Sequence, residues 1–477
     1  MSSHPFLDEN FHIRWSQLVP ENIEPDIRAG LEEARETIDA LAAWDGEEEL
    51  TYENTLLALE NAGEALNRGW TALSHLDSVR NNDDQREAYN KMLPEVTEFS
   101  SSIHLNEGLW KRVKAYSETE NAKALTGAKR RLLEESLTDF RESGADLSAD
   151  KKERLEEVQS ELAKLTQKFS ENVLDSTNDW DLIIEDESRL AGLPPTAKGI
   201  LLSEAKSKDL GTEEIPVWRV TLKFPVYFPV LEFADDESLR KEVWEGANTI
   251  GRTGKWDNTE LIWKILKLRQ EKAGLLGKSQ FADQALSRRM AKNGETALNF
   301  VEDLHGKTAP FFQKEVEELQ QFKAAATGGD PEPLEPWDVA YWSEKQRKAK
   351  YDFDQEETRP YFPINRVLEG MFELTSKVFG FRVEEKKAVF IEPGADAPDP
   401  GPDEFEVWHP EVKYYQLYDE ESGDHLGSFY ADWHPRDEKR GGAWMNYLRT
   451  GLPARSDQSR TPHLGLICGN MTPSTAE

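Results

Sequence analysis

Nine histidines are the first residues to test for chemistry, because imidazole supplies both metal ligands and general bases near neutral pH. None is followed by glutamate: His4, His409 and His434 precede proline, and the others precede isoleucine, leucine or glycine. The H-E-x-x-H pair, which sets two imidazoles on one helical face to hold zinc, is therefore absent. The tightest grouping is His409, His425, Asp432 and His434. On a strand, Asp432 and His434 would share one face, which permits a metal site, although short strands and turns also carry ordinary surface histidines. Cys468 is the only cysteine, so no intrachain disulfide is possible. It lies in an apolar run, where a small buried thiol is expected rather than an activated nucleophile. No G-x-S-x-G elbow, P-loop or dinucleotide fingerprint occurs. In "KRGGAWM" (439–445), Gly441 and Gly442 permit a tight backbone path beside Trp444, which suits a structural turn or a ligand loop. The run Glu47-Glu48-Glu49 reads as a solvated face. Residue types and spacing alone give neither a catalytic set nor a metal-ligand set.

One further stretch has strand character. In "HLGLICGN" (463–470), Leu464, Leu466 and Cys468 alternate with Gly465, Ile467 and Gly469. Two glycines in such a strand either relieve crowding in a core or let an extended partner approach the backbone closely.

The elements that must position these residues are mostly helical at first. In "EPDIRAGLEEARETIDAL", Ile27, Leu31, Ala34, Ile38 and Leu41 fall on one helical face, and Pro25 suits a first turn. In "LSADKKERLEEVQSELAKLTQKFSENVL", Leu155, Val158, Leu162, Leu165, Phe169 and Val173 form one stripe behind a candidate Ser148 cap. From Asp179 the texture changes, and "DWDLIIED", "KGILLSEA" and "PVWRVTLKF" alternate as strands do. Helical patterning returns in "NTELIWKILKLRQEKAGLLG" and "ALNFVEDLHGKTAPFFQKEVEELQQF". The stretches 327–336 and 392–404 are too rich in proline and glycine for regular structure. After the second come strand candidates "EVWHPEV", "KYYQLYD" and "LGSFYAD". No internal repeat is visible.

Composition sets the bounds. With 477 residues, two large lobes or one elongated helical body are expected. The formal net charge is −33, which repels nucleic acid and anionic membranes as partners and favours solubility. The N-terminus lacks a basic segment followed by an apolar one, so no secretory signal is expected. No run approaches the roughly 20 apolar residues of a membrane span, and a cytoplasmic protein is the simplest reading.

Several stretches together resemble one family. "YENTLLALE" (52–60), "LKLRQEKAGLLGKSQFADQALSRRMA" (266–291), "EPWDVAYWSEK" (335–345), "RPYFPINRVLEGMFELTSKVFGF" (359–381), "VWHPEVKYYQLYD" (407–419) and "GSFYADWHPRDEKRGGAWM" (427–445) are similar, in order, to the thimet-type zinc oligopeptidases. "KRGGAWM" favours the bacterial oligopeptidase A branch over dipeptidyl carboxypeptidase, its sister. The resemblance implies a mainly α, two-lobed helical ellipsoid with a central channel and a small β-sheet near the C-terminal end. It divides the chain into an N-terminal helical lobe, 1–225, and a metallopeptidase domain, 226–477, with an incomplete catalytic lobe. It further implies one zinc ion that activates a water against short unfolded peptides, in a cytoplasmic monomer. The family's zinc helix would lie past the last residue here, so no catalytic or metal residue carries over, and the chain as given is expected to be inactive. What carries over is a substrate-binding edge strand at Gly465, Leu466, Ile467, Cys468 and Gly469, against which a peptide aligns by β-addition. Dipeptidyl carboxypeptidase activity and a catalytically silent peptide-binding scaffold are the alternatives.

Overall fold

A computed structural model describes residues 4–212, 214–395, 397–454 and 459–473. The N-terminal part is built from α1 (Pro20–Ala42), α2 (Glu64–Val79), α3 (Asp83–Leu105), α4 (Glu107–Ser117), α5 (Gly127–Glu142) and α6 (Ala149–Asp179). The expected stripe of α1 is buried at Ile27, Leu31, Ala34 and Ile38, but Pro20 rather than Pro25 fills its first turn. Pro25 lies inside the helix, where its ring removes one N–H donor from the ladder. Side-chain caps start several helices: Asn82 Oδ1 accepts from Gln85 N–H at 2.9 Å, and Asn106 Oδ1 accepts from Leu109 N–H at 3.0 Å. Ser148 does occupy the N-cap position of α6, yet its hydroxyl caps no backbone donor there. The α6 stripe is buried at Leu155 and Val158 and half-buried at Leu162, Leu165, Phe169 and Val173. This helix packs on α3.

A short hairpin follows, β1 (Asp181–Ile184) with β2 (Trp218–Thr221). Between its strands "KGILLSEA" forms a helix, α7 (Pro195–Lys206), not the expected strand. Two prolines launch it, and Ala197, Ile200, Leu201 and Ala205 then bury one helical side. α8 (Phe224–Phe233) and α9 (Glu237–Asn248) close a second core over the hairpin, around Ile184, Val220, Val230 and Val243. Next come α10 (Thr259–Leu275), which packs against the other flank of α6, then α11 (Gly294–Thr327), α12 (Val339–Tyr351) and α13 (Ile364–Phe379). Large apolar side chains stay exposed on α10 (Trp263), α11 (Phe300, Phe311, Phe312) and α13 (Leu374, Val378). The described helices include none long and apolar enough to cross a membrane.

The last part is a six-stranded mixed sheet of β3 (Phe381–Phe390), β4 (Glu404–Val407), β5 (Lys413–Asp419), β6 (His425–Asp432), β7 (Trp444–Arg449) and β8 (His463–Cys468), in the order β4-β3-β5-β6-β8-β7. One face carries Phe405, Val407, Tyr414, Tyr430, Leu448, Leu464, Leu466 and Cys468 into the same core as Trp15, Ile27, Leu73 and Leu76. The chain's first helices and its last strands are thus packed together. Trp15 is fully buried, with ring centroids 4.9 Å from Trp408 and 5.6 Å from Tyr430. The expectation of a mainly helical body with a small sheet near the C-terminal end holds.

Beside this aromatic cluster sits Asp432. Its carboxylate accepts from Trp408 Nε1 at 3.0 Å, from two Arg436 nitrogens at 2.8 and 2.7 Å, and from Lys439 Nζ at 2.7 Å. Burial pushes its pKa up, but the Arg436 hydrogen bonds and the two cations outweigh this and hold it at about 2. Asp432→Asn leaves two cations without their counter-charge, and a loss of about 3–5 kcal/mol in denaturant unfolding is expected. In the native protein, the folded pKa lies below the ordinary 3.8. The carboxylate's contribution is therefore complete above pH ~4 and about 2 kcal/mol is lost as pH falls through ~2. An unfolding midpoint that is unchanged by the substitution would remove Asp432 from this role.

Candidate functional site

The structure separates the histidine grouping. His425 bonds the Gly427 carbonyl (3.1 Å) and Ser428 Oγ (2.9 Å), His409 lies 4.0 Å from Glu411, and Asp432 is saturated by its cations. Among the described residues no three His, Cys, Asp or Glu side chains stand close enough to hold a metal ion. The zinc that the resemblance implies therefore finds no fitting ligand set in these residues.

Cys468 is buried, and its thiol is pushed up to about 12 by burial and by the adjacent Asp432 charge. It cannot supply a thiolate near neutral pH.

The strand "HLGLIC" forms as expected, but it is not an edge. β8 pairs in parallel with β6 (Gly465 opposite Phe429) and antiparallel with β7 (Gly465 opposite Tyr447). Both of its ladders are filled, so a peptide cannot add to the backbone of 464–468. The outer strand on this side is β7, whose far edge pairs with no strand among the described residues. Leu466 and Cys468 point into the core. Gly465 and Ile467 belong to the opposite face, beside Tyr447 and Met445 of β7. There Ile467, Met445 and Tyr447 are 37%, 51% and 58% exposed. Crowding does not explain the glycines: a Cβ at Gly465 would meet nothing nearer than 3.4 Å, and at Gly469 nothing nearer than 3.7 Å. Elsewhere on the same face α13 covers the sheet, with Phe372 against Tyr415 and Phe429.

Alongside β7 runs a cleft of about 500 Å³, walled by α2 and α6 and lined among others by Trp70, His75, Asp77, Glu171, Arg440 and Asn446. A second hollow of about 360 Å³ continues past Arg440, over Gly441 and Gly442, to Asn470. The loop between the two is held on both sides. Arg440 N–H donates to Ser78 O (2.9 Å), Asn470 Nδ2 donates to the Arg440 and Gly442 carbonyls (3.1 and 2.6 Å), and buried Lys439 reaches Asp432 and the His434 carbonyl. Gly442 sits at φ +90°, a conformation that favours glycine. Spacing left this loop ambiguous; its contacts make it the rim that shapes the cleft. The sequence reading missed His75, Asp77 and Glu171, which a helical stripe and a charge count present as ordinary core and surface.

Two family models match the chain: "Peptidase family M3" over residues 230–477 and "Neurolysin/Thimet oligopeptidase, N-terminal domain" over residues 27–152. Oligopeptidase A of Escherichia coli is 35% identical over 437 residues, 91% of this chain and 60% of that protein. Oligopeptidase A of Haemophilus influenzae is 36% identical over 478 residues, 99% of this chain and 66% of that protein. Dipeptidyl carboxypeptidase of Escherichia coli is 27% identical over 480 residues, covering the whole chain and 66% of that protein. The chain thus spans 60% to 66% of the length of these relatives.

With no converging donors among the described residues, the 477-residue chain should hold well under one zinc per molecule after dialysis. Elemental analysis checks this; stoichiometric zinc that disappears in a His409→Ala, His434→Ala double variant would establish a metal site in this region.

Proposed function

The chain belongs to peptidase family M3, and from that premise we propose that it is the peptide-binding part of an oligopeptidase A-type zinc metalloendopeptidase acting on short, unfolded peptides. The higher identity to oligopeptidase A than to dipeptidyl carboxypeptidase favours internal cleavage over dipeptide release. We read 1–225 as the helical lobe and 226–477 as the metallopeptidase domain, in a cytoplasmic monomer whose charge of −33 repels nucleic acid. The exposed apolar sides of α10, α11 and α13 are where the zinc-bearing helix of the longer relatives would pack. The metal would supply an activated water. What these residues do is bind and orient the substrate.

One observation carries the reading: glycines that their neighbours do not require, on an open face beside a strand edge that no other strand covers among the described residues. An extended peptide laid across β7 and β8 would find Gly465, Ile467 and Gly469 as its floor, while the outer edge of β7, which pairs with no strand among the described residues, offers its backbone to the peptide. Leu466 and Cys468 support that floor from the core side. A proline in β8 would break two ladders at once and report only unfolding. Gly465→Val is the discriminating change, because its Cβ would make only ordinary contacts, with Asn446 O at 3.4 Å and Tyr447 Cδ1 at 4.0 Å. It should weaken binding of a fluorescent, unfolded nonapeptide at least tenfold by anisotropy, with the melting temperature shifted by only a few degrees. Unchanged affinity would show that the peptide does not cross this face.

A further inference from the structure

The cleft beside β7 contains two carboxylates to which, among the described residues, neutral amides rather than cations donate side-chain hydrogen bonds. Asp77 of α2 and Glu171 of α6 face each other across it, both bridged by the Gln167 side-chain amide, whose Nε2 lies 3.2 Å from Asp77 Oδ2 and 3.4 Å from Glu171 Oε1. Their remaining close partners are neutral amides too: Asn81 donates to Asp77 at 2.8 Å and Asn90 to Glu171 at 2.6 Å. The nearby cations are committed elsewhere, apart from one long ion pair to Glu171. Arg86 is bound bidentately by Asp175, Lys168 lies 3.8 Å from Glu171 on a half-exposed side chain, and Arg440 turns onto the Trp444 ring. Glu171 is 6% exposed. Burial, reinforced by Glu171, lifts the Asp77 carboxyl above its ordinary range despite the amide hydrogen bonds and Arg86.

A second observation points to a ligand independently. His75 lines the same cleft, is 3% exposed, and has no hydrogen-bond partner at either ring nitrogen among the described residues. Burial lowers its pKa to about 3, so it stays neutral and keeps one N–H without an acceptor. An orphaned buried donor, its ring packed against Trp15 and Trp408, in the wall of a cleft that also holds these two carboxylates suits a group that brings positive charge and an acceptor together. A peptide's ammonium and its neighbouring carbonyl meet that description. Trp70, stacked on Tyr89 at 4.9 Å, adds aromatic surface for the attached chain.

We propose that this cleft is a specificity subsite that takes a cationic group of the substrate peptide, its N-terminal ammonium or a lysine or arginine side chain, between Asp77 and Glu171. The proposal rests on the peptide-binding reading given above and adds which peptides are preferred. A cation there satisfies both carboxylates at once in a partly water-excluded site, so the preference should be large.

The test uses four fluorescent nonapeptides of one sequence, with the N-terminus free or acetylated and one residue lysine or norleucine. Anisotropy titrations with the full chain should show at least a tenfold loss of affinity on removing one of the two charges. Which removal matters identifies the terminus or the side chain as the source. Asp77→Asn should reduce the discrimination to about twofold. Because this variant could unfold, Gln167→Lys provides a second arm. Its built-in ammonium should erase the discrimination while raising the melting temperature. If all four peptides bind the native chain equally, the subsite is refuted and the peptide-binding reading stands. If none binds, both are refuted. Discrimination that survives in Gln167→Lys would place the cation elsewhere and overturn the assignment.

Discussion

The structure depends on the packing of the chain's beginning against its end. Trp15, which precedes the first long helix, is sealed between His75 of α2, Trp408 and Tyr430, and the ring contacts run on through Tyr414 to Phe405. Burying aromatic side chains of this size contributes several kilocalories per mole each from apolar area alone, about 25 cal/mol per Å². Asp432 converts that non-directional attraction into a defined arrangement. Through Trp408 Nε1 it fixes one ring of the cluster, and through Arg436, which also donates to the Val79 carbonyl, it ties the sheet to the end of α2. A buried ion group of this kind contributes less to net stability than apolar residues of equal volume could. We therefore assign it mainly to register: it determines where the sheet meets the helices.

That register determines the cleft. Lys439 is drawn under the sheet by Asp432, and the next residues must turn sharply through Gly441 and Gly442 before β7 can start at Trp444. The turn is then pinned to α2 through Ser78 and to the end of β8 through Asn470. With the loop fixed at both ends, β7 stands across the cleft of about 500 Å³ from α2 and α6. The opening is thus a consequence of how the core closes rather than of loose packing.

Helical stripes and alternation of period two were readable wherever a segment buries one face. β5 occupies the residues of "KYYQLYD", and α10 and α11 fall within or around their periodic segments. "KGILLSEA" misled because a short apolar run satisfies both periods, and only the flanking Pro194-Pro195 pair argues for a helix start. β3 went unread: Arg382, Glu384, Glu385, Lys386 and Lys387 give it no apolar alternation, and its strand character comes from pairing with β4 and β5. The position of β8 was unreadable for a related reason. Strand character is local, whereas being an edge depends on which other strand arrives, and β7 is joined to β8 through 13 intervening residues, 450–462, that carry no strand signal.

The same limit explains why the charged wall of the cleft escaped notice. Asp77 and Glu171 are separated by 94 positions, and each has the company of a solvated helix face: Ser78 and Asn81 near one, Ser170 and Lys168 near the other. Only the crossing of α3 against both α2 and α6 places the two side chains together. A charge count of −33 hides the distinction further, since 91 acidic residues make any one unremarked. Physically the distinction is sharp. A carboxylate in water exerts little force on a passing cation, whereas one shielded by protein and held by neutral amides retains most of its field. The strongly acidic surface and the acidic cleft are therefore different devices. The first acts through the summed field on solubility and on which macromolecules can approach, and the second acts at contact distance on a single group.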